Sequence, residues 1–173
     1  GNEHFRYYDL LVAEGITTAG QLSIRWIENK VNQYVNNLLE TDNKDYVIAS
    51  DTDSIYVTFD ELVKKYNPNN TVDFLDTIAK ERIEPYINKS YQELADYTNA
   101  YDQKMQMKRE VIADKGIWTA KKRYILNAWD VEGVRYKKPQ LKMMGIEAVK
   151  SSTPAPCRQK IKDALQIIMS GDE

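Results

Sequence analysis

Cysteine and histidine are nearly missing from this chain, each present once among 173 residues. Cys157 alone can form neither an internal disulfide nor a multi-cysteine zinc site, and His4 alone excludes histidine triads and histidine metal centres. Both read as structural or surface residues. No apolar run is long enough to span a membrane and no signal peptide opens the chain, which argues against secretion and against a membrane partner. Internal repeats and low-complexity stretches are missing too. Catalysis here must therefore run on carboxylates, lysines, hydroxyls and bound ions. What is present suffices for a domain with a real core, since 42% of residues are hydrophobic. The chain begins at Gly1 without a methionine and stops at Asp172-Glu173 just after a predicted helix, so it reads as a piece of something longer.

The tetrad Asp51-Thr52-Asp53-Ser54 stands between Tyr46-Val47-Ile48-Ala49-Ser50 and Ile55-Tyr56-Val57-Thr58-Phe59. The flanks are rich in β-branched and aromatic residues, as strands are, and the tetrad supplies the turn of a hairpin. Two carboxylates then crowd one bend, which is costly unless hydrogen bonds or a cation compensate. Their hard oxygens suit Mg²⁺ or Mn²⁺. Asp, Thr and Ser are also ordinary turn formers, so the motif alone is a modest signal. The apolar flanks add to it, because they place the acids at the lip of a buried sheet.

Charge is divided along the chain. Residues 1–103 hold 9 Lys or Arg against 18 Asp or Glu, residues 104–142 hold 11 against 4, and the tail holds 4 of each. A basic stretch following an acidic, metal-suited turn fits a protein that holds a polyanion beside cations. The plainer alternative is a solvated charged face. Within the basic stretch, Trp118-Thr119-Ala120-Lys121-Lys122-Arg123-Tyr124 sets three cations between aromatics. On a strand, Lys122 and Tyr124 would share one face and Lys121 and Arg123 the other, and rings beside cations suit a nucleic-acid strand.

Helical spacing of Leu22, Ile24, Trp26, Ile27, Val31, Tyr34, Val35, Leu38 and Leu39 predicts a helix over 18–40, capped by Thr17 or Thr18, with Trp26 and Tyr34 in the core. A second helix over 72–97 is predicted to kink or split at Pro85. Strands are expected over 105–113, 117–129, 134–136 and 141–144, with Glu132-Gly133 as a turn. A last helix should begin near Cys157 and carry Ile161, Ala164, Leu165 and Ile168 on one face. This order is α+β, an antiparallel sheet with helices packed on one face. Asp130 reads either as a turn cap or as a group orienting a Lys or Arg.

Tyr-x-x-x-x-Asp-Thr-Asp-Ser-Ile-Tyr, followed some seventy residues later by Thr-Ala-Lys-Lys-Arg-Tyr, resembles the palm of family B DNA polymerases, and within them the replicative enzymes of T-even-type phages. Matches spread over the chain: Gly1-Asn2, Phe5-Arg6-Tyr7-Tyr8-Asp9-Leu10, Ile16-Thr17-Thr18, Gly20-Gln21, Trp26-Ile27-Glu28, Val72-Asp73-Phe74-Leu75-Asp76, Arg109-Glu110, Met144-Gly145-Ile146-Glu147 and Lys150-Ser151-Ser152-Thr153-Pro154. The resemblance implies a palm over 1–150 and the start of a thumb over 151–173. It implies that Asp53 ligates two catalytic Mg²⁺ ions, with Mn²⁺ as a substitute, and that Asp51 beside it adjusts their coordination, with Thr52 and Ser54 as accessory residues. Lys121, Lys122, Arg123 and Tyr124 would hold the primer strand, Lys122 and Tyr124 foremost, and Glu110, on a neighbouring strand, would be an accessory acid. Lys108 stands where phage relatives carry an acid, which counts against a further metal there.

The implied partners are primer-template DNA, deoxynucleoside triphosphates, and the fingers, exonuclease and thumb of the same polymerase, in the cytoplasm of an infected bacterium. The family's Asp-x-x-Ser-Leu-Tyr-Pro-Ser and Lys-x-x-x-Asn-Ser-x-Tyr-Gly motifs do not occur in this sequence. The chain alone is therefore expected to lack part of the active site and to be inactive. The alternative is a non-catalytic nucleic-acid-binding module using the basic strand. A Ca²⁺-binding structural domain is disfavoured because no EF-hand loop is present.

Overall fold

The computed structural model describes residues 2–171; the terminal positions Gly1, Asp172 and Glu173 lie outside the described residues. The chain forms two compact units, Gly1–Lys108 and Arg109–Glu173. Each pairs an antiparallel sheet with helix on one face, which is the expected α+β class. Among the described residues the strands make two sheets, one of two strands and one of three, and not a single sheet. Strands here pair only with their sequence neighbours, and residues 60–110, mostly helical, separate the two groups.

The first unit opens with α1 (Leu10–Leu39), a helix roughly 45 Å long at 1.5 Å per residue. Its start corrects the expected cap at Thr17 or Thr18. Asp9 Oδ1 accepts from the main-chain N–H of Leu11 at 2.8 Å and Val12 at 3.2 Å, while Thr17 lies inside the helix and donates its hydroxyl to the Ala13 carbonyl at 3.0 Å. Apolar periodicity locates only the half that is buried; the first turns expose Leu10, Leu11, Val12 and Ile16.

Ile27, Val31 and Val35 of α1 pack with Tyr46, Val47, Ile87 and Tyr91 to form the core of this unit. Burying each such aliphatic side chain contributes about 1.5–3 kcal/mol. Trp26 and Tyr34, expected in the core, are only half-buried at its margin; Trp26 Nε1 donates to the Ser90 carbonyl at 2.8 Å and the Tyr34 ring lies 4.7 Å from that of Tyr86.

The hairpin of β1 (Val47–Asp51) and β2 (Ser54–Val57) follows, then α2 (Asp60–Tyr66). The short α2 is missing from the sequence expectation, because seven residues with one buried side chain, Leu62, give too little periodicity to register. Its acids at the start and lysines at the end suit the helix dipole. Next, α3 (Thr71–Ile78) and α4 (Glu84–Tyr97) join through a π turn at Ala79–Ile83. The interruption expected at Pro85 takes that form. Proline has no N–H to donate, and the Glu84 N–H reaches back five residues to the Ala79 carbonyl.

The second unit is a meander of β3 (Val111–Ala120), β4 (Arg123–Val131) and β5 (Val134–Met144), then a 3₁₀ turn at Glu147–Val149 and α5 (Ala155–Ser170). The strand expected from Met105 begins only at Val111, whereas β5 runs unbroken through Pro139. As an edge strand it tolerates a residue without a donor. The turn at Glu132-Gly133 is as expected, with φ of 52° and 87°. Along α5, Ile161, Leu165 and Met169 pack on Ile125, Leu141, Met143 and Ile146. This spacing of four leaves Ala164 and Ile168, expected to share one face with Ile161 and Leu165, exposed.

Candidate active site and nucleic-acid interface

The hairpin is positioned by asparagines of α1. Asn32 Oδ1 accepts from the main-chain N–H of Tyr46 at 2.9 Å and Val47 at 3.0 Å, and its Nδ2 donates to Asp45 Oδ1 at 2.8 Å. One turn later Asn36 Nδ2 donates to the Lys44 carbonyl at 2.7 Å, and its Oδ1 accepts from the Lys44 N–H at 2.9 Å. Tyr46, fully buried, donates its hydroxyl to Glu61 Oε2 at 2.8 Å. Glu61 also pairs with Lys44. The Lys44 ammonium and the Tyr46 hydroxyl hold its carboxyl below the usual range. Sequence reasoning misses Asn32 and Asn36. Their signal is two amides four residues apart beside the buried stripe of Ile27, Val31 and Val35, where solvent would not satisfy them.

At the hairpin tip Asp51 pairs with Ser54, leaving Thr52 and Asp53 as the turn. Thr52 takes a φ of 56°, a backbone region that β-branched residues seldom occupy. The Asp53 N–H bonds back to the Asp51 carbonyl at 2.7 Å, and Ser54 Oγ donates to the same carbonyl at 3.1 Å. Thr52 Oγ1 donates to Asp51 Oδ1 at 2.9 Å, orienting that carboxylate. Asp51 is half-buried and Asp53 exposed. Tyr91 of α4 belongs to the core of this unit; burial, and to a lesser degree the Asp53 charge, raise its phenol above its ordinary pKa, so it stays neutral.

The expectation of a buried sheet is corrected. Val47, Ile55 and Val57 face the core, but Ile48 is 54% exposed, because two strands with helices on one side leave the other side open. Among the described residues no group of three or more His, Cys, Asp or Glu is arranged to hold a metal ion. Two carboxylates with hard oxygens nevertheless fit Mg²⁺, which is commonly held by one or two protein carboxylates with water and substrate phosphate completing six ligands.

The other site residues belong to the second unit. Lys121 and Lys122 form the turn between β3 and β4, since Ala120 pairs with Arg123. Strand alternation therefore does not sort them into faces, which corrects the expected pairing of Lys122 with Tyr124. Both lysines are exposed, Lys122 at a φ of 60°, whereas Tyr124 is only 6% exposed and presents little ring for stacking. Glu110 precedes β3 and does not lie in a strand; it is exposed, 3.9 Å from Lys142.

Asp130 is 1% exposed at the end of the sheet away from that turn. It accepts from the Gly133 N–H at 3.0 Å, from Arg135 Nε at 3.1 Å and from Arg109 Nη1, so it both caps the β4–β5 turn and orients two arginines. Burial pushes its pKa up, but the bonds from Arg109, Arg135 and the Gly133 N–H outweigh that and hold it below the ordinary value.

Phage DNA-directed DNA polymerases match this chain. That of Escherichia phage RB69 is 45% identical over 187 aligned positions, and that of Enterobacteria phage T4 is 40% identical over 188. Both alignments take in the whole chain and 21% of the relative, so the chain spans about a fifth of the length of these polymerases. No family model matches it. The likeness to T-even-type phage family B polymerases is thus shown along the entire chain, for a segment of such an enzyme. No helix among the described residues is long and apolar enough to cross a membrane.

Proposed function

We propose that this chain supplies one side of the nucleotidyl-transfer site of a phage replicative DNA polymerase. What carries the reading is the pair Asp51 and Asp53 flanking a left-handed turn at a hairpin tip, in a chain matched over its full length by phage polymerases. Residues 1–150 would be palm and 151–173 the start of the thumb. The substrates would be a primer-template and deoxynucleoside triphosphates, in the cytoplasm of the infected host.

Asp53, exposed at the tip, would take the metal ions, and Asp51, oriented by the Thr52 hydroxyl, would adjust their coordination. Two Mg²⁺ ions, or Mn²⁺ in their place, would lower the pKa of the primer hydroxyl and neutralise charge on the triphosphate. The lysines of the basic turn would hold primer phosphates, with Glu110 as an accessory acid in the second unit. Asp130 reads more simply as the clamp on Arg109 and Arg135 than as an accessory of the site. Alone, the chain should not extend a primer, because two carboxylates from one hairpin leave the ligand set incomplete.

A chimera tests the reading. An RB69 polymerase carrying this chain in place of its matching fifth should extend a primer with Mg²⁺, and Asp53→Asn in the chimera should reduce extension on the order of a thousandfold. Undiminished extension by that variant would remove Asp53 from the chemistry and return the chain to the non-catalytic nucleic-acid-binding alternative.

A further inference from the structure

The basic turn is braced from outside its own two residues. Gly145, the residue after β5, has a φ of 66°. A Cβ added there would fall well inside van der Waals distance of the Lys122 carbonyl oxygen and 2.9 Å from Arg123 Cγ. Both its backbone conformation and its closeness to the turn thus call for a residue without a side chain. Arg123 Nε donates to the Gly145 carbonyl at 3.1 Å, and Arg123 Nη2 pairs with Glu147. Lys150 Nζ lies 3.1 Å from the same Glu147 oxygen. The guanidinium therefore bridges a main-chain carbonyl and a carboxylate with two donors of its fork, a geometry a lysine cannot reproduce.

We propose that Gly145 and Glu147 are positioning residues for the basic turn, with Arg123 as the strut between them, so that Lys121 and Lys122 meet a phosphate backbone in one fixed arrangement. Arg123 thereby leaves the set of direct DNA contacts. Glu147 is suited to such a role, since its own main-chain N–H and the Lys150 ammonium keep its carboxyl below the usual range and it carries charge at neutral pH. The inference rests on the reading of the Lys121-Lys122 turn as a DNA contact.

Binding of a fluorescent primer-template by the whole chain, titrated at several salt concentrations, separates the two. Lys122→Ala should weaken binding and flatten the salt slope by about one unit. Gly145→Ala should weaken it roughly three- to tenfold, an effect equivalent to about 0.7–1.4 kcal/mol. Gly133→Ala is its control: that glycine also has a left-handed φ, 87°, but open space around its Cβ position. It bears the same kind of backbone strain at a different turn and should leave DNA binding unchanged.

Glu147→Gln covers the case in which Gly145→Ala fails to fold, and its sign is informative. Deleting a negative charge beside a basic turn should tighten DNA binding if only Coulomb attraction matters. Positioning through Arg123 requires it to weaken binding instead. Gly145→Ala behaving like Gly133→Ala, or tighter binding by Glu147→Gln, would overturn the positioning role while leaving the contact role of the lysines in place. No loss on Lys122→Ala would overturn the contact reading itself.

Discussion

The acidic turn of the first unit and the basic turn of the second have the same local plan and different supports. Each is a two-residue connection with a non-glycine residue in the left-handed region, Thr52 at 56° and Lys122 at 60°. Around Thr52 the support is local: the Asp53 N–H and the hydroxyls of Thr52 and Ser54 all bond to Asp51. Around Lys122 a local bond from Thr119 Oγ1 to the Arg123 carbonyl at 3.3 Å is joined by bracing from Gly145 and Glu147, more than twenty positions away in sequence. A turn that binds itself can be read from a tetrad of residue types. A turn braced from across the sheet cannot, however suggestive its charges.

The largest effect that would sharpen this contrast is expected at the far end of the three-stranded sheet. Asp130→Ala removes the buried carboxylate that Arg109, 10% exposed, and Arg135 share. Breaking a buried pair from one side costs about 3–5 kcal/mol. Amide exchange in β4 and β5 should speed up accordingly, while exchange in α1 stays unchanged. Because the folded-state pKa of Asp130 is lowered, its contribution is present above the unfolded aspartate pKa of about 3.9 and disappears as pH falls through the folded value. Wild type should therefore lose its advantage over the alanine variant below that range. An advantage unchanged at low pH would mean that packing, not charge, is what the variant removes.

Next in size is Asn32→Ala, which deprives the Tyr46 and Val47 amides of their acceptor. Unsatisfied buried donors cost about 1–3 kcal/mol each, and some relaxation toward solvent is open to them, so a loss of about 2 kcal/mol in the first unit is expected. Denaturant dependence of amide exchange in α1 and at Tyr46 and Val47 reads it. A loss below about 0.5 kcal/mol would show that the hairpin is held by its apolar contacts alone, and the first unit would then be as self-contained as its turn suggests.

These cases show how much was legible. The hairpin over 46–58, the turn at Glu132-Gly133, the interruption around Pro85 and the α+β class follow from local composition, because turn chemistry and strand propensity act over a few residues. The early start of α1 did not, since its first turns carry apolar residues that nothing in their own unit buries and only Asp9 marks the end. The face assignment of Lys122 and Tyr124 failed for a related reason: whether Lys121-Lys122 is strand or turn depends on where Ala120 and Arg123 pair, and register is a property of two strands. Gly145 and Glu147 were illegible as site residues because their roles exist only through partners distant in sequence, whereas Asn32 and Asn36 left the trace of two amides beside a buried stripe.

The smallest expected effect probes the acidic turn itself. Asparagine tolerates the left-handed region where threonine, branched at Cβ, is strained, so Thr52→Asn should relieve part of a cost of roughly 1–2 kcal/mol. Against that stands the loss of the hydroxyl bond to Asp51 Oδ1, made at an exposed position. The acceptor is a carboxylate, but exposure to solvent discounts the bond to about 1 kcal/mol, so a net gain of at most about 0.5–1 kcal/mol in the first unit is expected from denaturant titration without metal. The same experiment with Mg²⁺ should narrow the gain, because a Thr52 hydroxyl that orients Asp51 helps most when the carboxylate is asked to meet a cation. A net loss in the absence of metal would mean that the hydroxyl stabilises the folded turn more than its strain costs, and that the tetrad is a structural turn whose threonine was selected for packing and bonding, not for the geometry of its acids.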